Sequence, residues 1–532
     1  MSTLPISDSQ LFFIMWHSLL GGAGLCYHFD IEGPLDVQKL ESSLEHVVNS
    51  HPMLLSILDI PENATSFASH QLKAKKREGL SLRKRNLSKL LPEEISNEIQ
   101  SEYLRLLNKK TRLDQWPLIE FTLFKLNDHS FHFFMGIDHV ISDGLSSLEI
   151  LHQIFSHYEG KEMPIQSADE YRDLSTKINQ YSPDTTSLAE TEEFLEGESN
   201  KAFFWNPNGK EKSHPSSSFH TESYILTKQE TNHLLQATSE LRGSLFSILV
   251  ASYCEVLTSI APSKTLEFSL PTSGRIYPEI DLQNTIGCFA QALTISFQEE
   301  RIDMPFPKKV HYIEQKIQQG LHGNVDKILA KKMGTSLRKN YKLSNGKPSE
   351  FSKLLFQSSM KSNLYISFTG QSPLQKRYGD LKIDNYEEGT FNNPFSLDFM
   401  HSIFDGKLHI FANYDPSFFE TTFVQKILEK IGEHLKNVFH ENYKTQADLR
   451  KRTFIPPEIN ERLFSIIFNL TSLRLTDENI LDDLEGCHGI DSLAKIRLVT
   501  EICTSFNKNI DKGNLIQSRS IYELGQVING DA

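Results

Sequence analysis

A histidine and an aspartate stand four residues apart where an apolar run gives way to a polar loop. Residues 133–137 are mostly apolar, His139 and Asp143 follow in the loop, and Gly144 opens a segment with leucines at helical spacing. A loop between a buried strand and a buried helix can fix an imidazole in place. Neutral histidine near its ordinary pKa is suited to take a proton from an amine or hydroxyl nucleophile. The pattern therefore predicts His139 as a catalytic base.

The same residues also fit a purely structural role. Ser142 or Asp143 can cap the helix, Gly144 can ease the turn, and His139 can be a hydrogen-bonded surface histidine. An HxxxDG string is a weak motif by itself. Both interpretations stay open on this segment alone.

A serine near the C-terminus suggests a second chemistry, the attachment of a phosphodiester. Asp491 and Ser492 immediately precede a predicted helix over 493–506. A serine at a helix N-terminus presents its hydroxyl to solvent, and a phosphodiester there gains from the helix dipole and the free backbone donors. The alternative is that both residues are ordinary N-cap residues.

Length and composition limit the scaffold that must position these residues. With 532 residues and 39% hydrophobic residues, the chain predicts two to four globular domains. The formal net charge of −13 argues against the basic surface that nucleic-acid binders need. Five scattered cysteines form no CxxC pair, and no signal peptide or long apolar run is visible. We expect a cytoplasmic protein without disulfides, structural zinc, nucleic acid or a membrane.

Hydrophobic periodicity predicts mixed α and β structure followed by helices alone. Apolar spacing indicates a helix over 37–50, and strands over 118–126 and 131–137 form a hairpin around a turn at Asn127 and Asp128. Later elements are predicted as strands over 266–270, 292–297 and 408–414 and helices over 421–439, 458–470, 493–506 and 521–528. The last part therefore forms a small helical bundle.

Several segments, taken in order, resemble the motifs of condensation domains of nonribosomal peptide synthetases. The first, second and core HHxxxDG motifs are similar to residues 5–10, 49–54 and 138–144. The "SGR" and "GxFVN" segments are similar to residues 270–275 and 286–291. The resemblance covers nearly all of residues 1–445, and the order of the motifs carries more weight than any one of them.

This resemblance implies an α+β fold of two chloramphenicol acetyltransferase-like lobes arranged as a V around a tunnel. It implies that His139 lies at the middle of the tunnel and that Asp143 is structural and pairs with Arg275. A buried carboxylate needs such a partner, and a guanidinium supplies it. Gly144 would leave room for a pantetheine arm or thioester.

The sequence departs from the family pattern at several positions. The first motif histidine is Asp138, a position that is structural in the family, and the arginine of the second motif is Leu55. The "NT" after GxFV is replaced, and the sixth motif is not recognisable. Asp138, Asp143 and Ser146 also satisfy the DxxxxDxxS pattern of heterocyclisation domains, but those lack the histidine that is present here.

The C-terminal segment resembles acyl and peptidyl carrier proteins. Residues 489–493 match their GxDSL signature, which implies that Ser492 carries 4'-phosphopantetheine in an all-α four-helix bundle. The predicted domains are the condensation N-lobe (1–165), an inter-lobe connection (166–220), the C-lobe (221–445), a linker (446–456) and the carrier (457–532).

Together these features lead to the hypothesis of a condensation-type acyltransferase with its own carrier. It would join an acyl thioester to an amine or alcohol, with an upstream donor carrier or synthase module, a phosphopantetheinyl transferase, and separate loading and release enzymes as partners. The alternatives are a catalytically silent carrier-docking protein, a heterocyclisation-like enzyme, and an acyltransferase that uses acyl-CoA.

Overall fold

The protein is described by a computed structural model. The description covers residues 2–59, 71–74, 79–182, 205, 207, 219–263, 265–277, 280–282, 284–340, 343–344, 347–348, 362, 364–391, 397–438, 457–471, 492–506, 515, 518 and 521–529. The predicted linker over 446–456, the GxDSL residues before Ser492 and most of the predicted inter-lobe connection lie outside these residues.

Helices and strands are mixed along the described elements until the last four, which are helices. The strands are β1 (Ser2–Leu4), β2 (Gly24–Glu32), β3 (Ser56–Asp59), β4 (Gln71–Ala74), β5 (Leu82–Asn86), β6 (Ile119–Lys125), β7 (Ser130–Asp138), β8 (His220–Ile225), β9 (Thr265–Thr272), β10 (Gln291–Gln298), β11 (Leu343–Ser344), β12 (Lys347–Pro348), β13 (Leu364–Gln371), β14 (Arg377–Tyr378), β15 (Leu381–Phe391), β16 (Leu397–Phe404) and β17 (Lys407–Tyr414). The helices are α1 (Asp8–Leu20), α2 (Val37–Ser50), α3 (Pro92–Leu107), α4 (Gly144–Tyr158), α5 (Ala168–Gln180), α6 (Lys228–Leu241), α7 (Leu245–Ile260), α8 (Glu299–Ile302), α9 (Phe306–His322), α10 (Val325–Asn340), α11 (Thr421–Asn437), α12 (Pro457–Thr471), α13 (Ser492–Phe506) and α14 (Ile521–Asn529).

The N-lobe is built on a six-stranded sheet with the order β14-β15-β2-β7-β6-β5. The predicted hairpin is present, because β6 and β7 pair antiparallel from Ile119 opposite Ile137 to Lys125 opposite Phe131. Every residue of β7 is buried. A strand that is covered on both faces needs no polar alternation, which explains why apolar residues stand on both of its faces.

Local capping fixes the two helices that approach the candidate site. Ser7 and Gln10 form a capping box at the start of α1, and Gly21 ends it in a left-handed conformation with φ 82°. Asp143 caps α4 by accepting a hydrogen bond from the backbone N–H of Ser146. The residues that begin these helices are therefore placed by backbone hydrogen bonding.

The C-lobe contains a second six-stranded sheet with the order β10-β9-β13-β16-β17-β8. Helices α7, α9 and α11 supply apolar side chains to its core, which is separate from that of the N-lobe. This agrees with the two-lobe condensation fold that the resemblance implied.

One strand does not follow the predicted lobe boundaries. β15 lies within the predicted C-lobe segment 221–445, yet it pairs antiparallel with β2 of the N-lobe sheet over Lys382–Phe391. Residues 377–391 of the predicted C-lobe segment thus contribute strands to the N-lobe sheet, and the domain bounds stay a prediction. The pairing joins residues 350 or more positions apart, and local periodicity carries no information on such a partner.

The longer described elements of the remaining segments are helices. Within the predicted connection 166–220, α5 packs its Tyr171 into the N-lobe core, whereas Trp205 lies in the C-lobe core. Helices α12, α13 and α14 share a small apolar core of their own. None of the described helices alone has the length and hydropathy of a membrane span, although α6 and α7, bent by 96° at their junction, reach that composition as a pair.

Candidate active site

His139 is the first residue after β7 and lies inside the protein. Its side chain is buried, and its backbone N–H donates to the Ala23 carbonyl at 2.8 Å. The Phe13 ring stacks on the imidazole with 3.7 Å between centroids and 8° between planes. The Sγ of Cys288 lies 3.8 Å from Nδ1. These contacts exclude the alternative of a surface histidine.

Burial changes the acid–base character of this imidazole. Desolvation lowers the pKa of His139 to about 4, and the Asp143 carboxylate and hydrogen bonds to backbone groups of His139 and Ser142 only partly oppose this. The expectation of a pKa near neutrality is therefore wrong. At physiological pH the imidazole is neutral and can accept a hydrogen bond. Because its pKa is low, it is a weak base.

The loop that carries His139 is held by α1 and by its own hydroxyl groups. The Nε2 of Gln10 donates to the Val140 carbonyl at 2.8 Å. The hydroxyls of Ser142 and Ser147 lie 2.8 Å apart and link the loop to the first turn of α4. The first motif thus fixes the backbone beside the imidazole.

Asp138 replaces the first histidine of the family motif and shapes the same loop. It is buried, and its Oδ1 accepts from the Val140 backbone N–H at 3.1 Å. Desolvation raises the pKa of Asp138 to about 7. These contacts fit a structural role, because the carboxyl group faces the loop backbone.

Asp143 and Arg275 form a buried pair between the lobes. The Nη2 of Arg275 lies 2.9 Å and 3.0 Å from the two carboxylate oxygens of Asp143. The same carboxylate accepts from the backbone N–H groups of Ser146 at 2.8 Å and Phe289 at 3.0 Å. We call the Asp143–Arg275 pair with Ser146 the inter-lobe clamp. Its carboxylate is fully engaged, so it positions the loop and leaves proton transfer to other groups.

The two terminal nitrogens of Arg275 also hold the segment that precedes Phe289. Nη1 donates to the carbonyls of Leu282 at 2.9 Å and Thr285 at 2.8 Å, and Nη2 donates to the Ser146 hydroxyl at 2.7 Å. The guanidinium also lies over the Phe289 ring, 4.6 Å from its centroid. Several hydrogen bonds and a ring contact therefore compensate the buried charge.

Two glycines lie where the backbone passes close to its neighbours, and at the first of them a side chain is excluded. Gly274, beside Arg275, has φ +61°, and a Cβ there would lie 1.8 Å from the Phe289 carbonyl oxygen. A Cβ on Gly144 would lie 3.3 Å from the Thr369 side chain of β13. The start of α4 therefore faces the C-lobe across a narrow gap.

We expect Arg275→Ala to lower the free energy of unfolding by about 3–5 kcal/mol, because it leaves the buried Asp143 carboxylate without its counter-ion. Arg275→Lys keeps the charge but loses the forked geometry, so its effect should lie between those of wild type and alanine. Guanidinium denaturation followed by circular dichroism measures both.

Arg112→Ala is the control for the clamp variants. Arg112 forms an exposed pair with Asp114, and such pairs contribute about 0–1 kcal/mol. Equal stability of the Arg275→Ala and Arg112→Ala proteins would contradict the assigned role of the clamp.

Sequence reasoning missed the groups that touch the imidazole. Phe13 follows the first matched motif and Cys288 lies within the matched segment 286–291, yet nothing in their type marks them as neighbours of His139. Burial raises the pKa of the Cys288 thiol well above its usual value, so the thiol is neutral. The position of Cys288 within the matched segment 286–291 was the one feature of the sequence that could have indicated its place near His139.

A cleft opens beside the clamp, between α1, α5 and α10. It is a small, partly open cleft lined by Ser9, Gly274, Phe289 and Lys327, among other residues. The Ser9 hydroxyl donates to the Phe289 carbonyl at 3.2 Å. The cleft therefore reaches the segment that holds Cys288 against His139.

Ser492 is remote from this centre in the sequence and is the first residue of α13. One turn further along that helix, Arg497 forms an ion pair with Asp281 of the C-lobe. The ion pair thus brings α13 against the loop between Arg275 and the "GxFVN" segment.

Comparisons with known proteins agree on the family to which the sequence is similar. A family model for the condensation domain matches residues 20–462. The chain is 26% identical to tyrocidine synthase 3 of Brevibacillus parabrevis over 313 residues, which is 55% of this chain and 4% of that protein. It therefore spans a small fraction of the length of this relative.

Solved structures share the fold at low sequence identity. The first condensation domain of the CDA synthetase matches with a TM-score of 0.66 and 12% identity, covering 83% of this chain and 97% of that one. The epimerization domain from the third module of tyrocidine synthetase B matches with a TM-score of 0.65 and 16% identity, covering 82% and 96%.

Proposed function

We propose, from the premise that this chain belongs to the condensation-domain family, that it is a condensation-type acyltransferase acting on carrier-bound thioesters. Condensation domains of nonribosomal peptide synthetases catalyse amide-bond formation, which is a transferase activity. For this chain the acceptor is an amine or an alcohol, and the product is an amide or an ester.

The observation that carries the proposal is a buried, neutral imidazole on a loop held by both lobes. His139 is enclosed by Phe13 and Cys288, and the clamp between Asp143 and Arg275 fixes the loop from the C-lobe side. Such fixed geometry is what proximity catalysis requires.

The low pKa of His139 favours one role over another. A group with a pKa of about 4 is a poor acceptor of a full proton from an amine, but its neutral nitrogen accepts a hydrogen bond at any pH above about 5. We infer that His139 orients the attacking N–H or O–H. It takes the proton only as positive charge develops on the nucleophile, when the Asp143 carboxylate favours the imidazolium.

The C-terminal helices are proposed as a carrier domain over residues 457–532. Helices α12, α13 and α14 have their own apolar core, and Ser492 begins α13. A serine at a helix N-terminus fits the attachment of 4'-phosphopantetheine, because backbone N–H groups and the helix dipole favour a phosphodiester there. When bound, this group would supply a thiol that holds an acyl or aminoacyl load as a thioester.

This organisation implies several partner classes. The proposed donor is an upstream carrier protein or synthase module, and a phosphopantetheinyl transferase would modify Ser492. Loading and release would be carried out by separate enzymes. The heterocyclisation alternative receives little support, since Asp143 and Ser146 are both engaged with Arg275.

The proposal predicts that the full-length chain, after phosphopantetheinylation, forms a new amide or ester when it is mixed with an acyl-loaded donor carrier and a panel of amines and alcohols. Mass spectrometry of released and carrier-bound products detects the bond. Turnover of free acyl-CoA by a Ser492→Ala protein would instead favour the acyl-CoA-dependent alternative. Absence of product with every donor and acceptor would favour the silent docking protein.

A further inference from the structure

Cys288 lies beside the candidate catalytic imidazole, and its backbone position is fixed through both of its neighbours. The carbonyl of Gly287 accepts from the Asp143 backbone N–H at 3.1 Å and from the Ser146 hydroxyl at 2.8 Å. The backbone N–H of Phe289 donates to the Asp143 carboxylate at 3.0 Å. The inter-lobe clamp therefore sets where the Cys288 side chain begins.

The thiol of Cys288 is enclosed together with the imidazole. Cys288 is 0% exposed, and its Sγ lies 3.8 Å from Nδ1 of His139. The Phe13 ring also packs against the imidazole, stacked on one of its faces. Desolvation raises the pKa of the thiol well above its usual value, so the thiol keeps its hydrogen. The contact therefore joins two neutral groups, and the sulfur is not a thiolate nucleophile.

Hydrogen bonding indicates which ring nitrogen of His139 carries the hydrogen. Desolvation lowers the pKa of His139, whereas the Asp143 carboxylate and hydrogen bonds to main-chain groups of His139 and Ser142 raise it. A main-chain bond that raises the pKa of an imidazole is one in which the ring N–H donates to a carbonyl oxygen. Only Nδ1 reaches a histidine's own carbonyl, because Nε2 lies on the far side of the ring. The neutral ring therefore carries its hydrogen on Nδ1 and its lone pair on Nε2.

The sulfur of Cys288 lies next to the nitrogen that holds this hydrogen. A thiol sulfur is a weak acceptor, and its distance from Nδ1 allows it to accept from the Nδ1–H group. A thiol is also a weak donor, but donation to Nδ1 requires the opposite tautomer, in which Nε2 bears the hydrogen. Nε2 could then accept nothing from a nucleophile. The direction of this contact therefore decides whether His139 has an acceptor nitrogen available for the reaction.

We propose that Cys288 is a positioning residue, which holds His139 in the tautomer with hydrogen on Nδ1 by accepting from that N–H group. This inference rests on the proposed function and adds a residue to its site. Cys288 acts through the imidazole, and no bond to its sulfur forms or breaks during transfer. Because sulfur is a weaker acceptor than a carbonyl oxygen, the thiol strengthens a preference that the main chain already favours.

The alternative is that Cys288 only fills space, since a buried cysteine also behaves as a small apolar side chain. In that case its removal would lower stability and leave the tautomer of His139 unchanged. Cys254 provides the matched comparison. It is also 0% exposed, but it lies in α7 and belongs to the C-lobe core, whereas Cys288 belongs to the N-lobe core. Cys254→Ala therefore removes the same buried atoms without touching the imidazole.

Nitrogen-15 NMR of the full-length protein labelled at histidine measures the tautomer, because ring nitrogens with and without hydrogen resonate in separate regions. The signals of His139 are those that are missing from the His139→Gln protein. At neutral pH the wild type should show hydrogen on Nδ1. In Cys288→Ala the ratio of the Nδ1–H to the Nε2–H form should fall about two- to tenfold, as expected for the loss of one weak neutral hydrogen bond. Cys254→Ala should keep the wild-type ratio.

Single-turnover acyl transfer links the tautomer to the reaction. The maximal rate of Cys288→Ala should fall by the same factor as the fraction of its Nδ1–H form, while the donor-carrier concentration that gives half the maximal rate stays unchanged. Cys288→Ser should recover the rate, because its hydroxyl oxygen is an acceptor of similar size at the same place. Cys254→Ala should match the wild type in both quantities.

The spectra separate this proposal from the acyltransferase itself. A wild-type ring with hydrogen on Nε2, or a Cys288→Ala protein with the wild-type ratio, would overturn the positioning role. If Cys288→Ala does not fold, Cys288→Ser decides, because the Nδ1 signal should shift when oxygen replaces sulfur, and an unshifted signal would show that no hydrogen bond exists. A ratio that falls in Cys288→Ala, together with a wild type that transfers no acyl group, would support the contact while contradicting the proposed function.

Discussion

Replacing His139 by alanine is expected to lower the rate of acyl transfer by about 10²–10⁴-fold, the usual contribution of a positioned acid–base group. The imidazole is the buried, neutral acceptor on the clamped loop, and alanine can neither orient nor receive the proton of the nucleophile. The measurement is single-turnover transfer from an acyl-loaded carrier, with thermal unfolding as a check on the fold.

His129→Ala is the control for this experiment. His129 lies exposed in the turn between β6 and β7, so its removal should leave the rate unchanged. An unchanged rate in the His139→Ala protein would refute the catalytic role and favour the silent docking protein.

The pH profile provides an independent measure of the same residue. Since the pKa of His139 is lowered to about 4, its neutral form persists from alkaline pH down to about pH 5, and the rate should fall only as the pH approaches 4. In the unfolded chain the imidazole binds a proton near pH 6.5. Stability linked to His139 is thus present above that value and is lost as the pH falls toward 4. A rate that halves near pH 6.5 would contradict the buried neutral state.

Ser492→Ala is expected to abolish modification completely, because alanine has no hydroxyl to accept a phosphodiester. Wild-type protein incubated with coenzyme A and a phosphopantetheinyl transferase should gain the mass of one phosphopantetheine in intact mass spectrometry. Carrier-dependent product formation should disappear together with the modification.

Thr500→Ala is the matched control for Ser492. Thr500 lies exposed on the same helix, two turns after its start, and should leave the mass gain unchanged. A mass gain that persists in Ser492→Ala would place the attachment elsewhere. A wild-type protein that gains no mass would contradict the proposed carrier.

Local patterns were sufficient for the elements that surround the active centre. The largely apolar run of β7, the helical spacing of α4 and the turn between β6 and β7 all depend on neighbours within a few residues. The contact between Asp143 and Arg275 was different, because the two residues are 132 positions apart. It was expected from the motif order of a family, and the demand of a buried carboxylate for a partner supported it.

Long-range pairing and burial could not be inferred in the same way. The strand β15 is rich in acidic residues, which suggests solvent, yet Glu388 is fully buried against the other lobe. The pKa of His139 depends on enclosure by Phe13 and Cys288, and those contacts follow from tertiary packing. Residue type alone therefore identified the imidazole but misjudged its proton affinity.

The insertion of β15 has a consequence for how the lobes can be separated. Residues 377–391 lie far along the chain, yet they cover the edge of β2 in the first sheet. A fragment ending near residue 165 would expose that edge as a template for intermolecular pairing and aggregation. A chimaera that takes the N-lobe from a relative should therefore also take β15 from that relative. A β15 from one protein beside a β2 from another would pair poorly and favour aggregation.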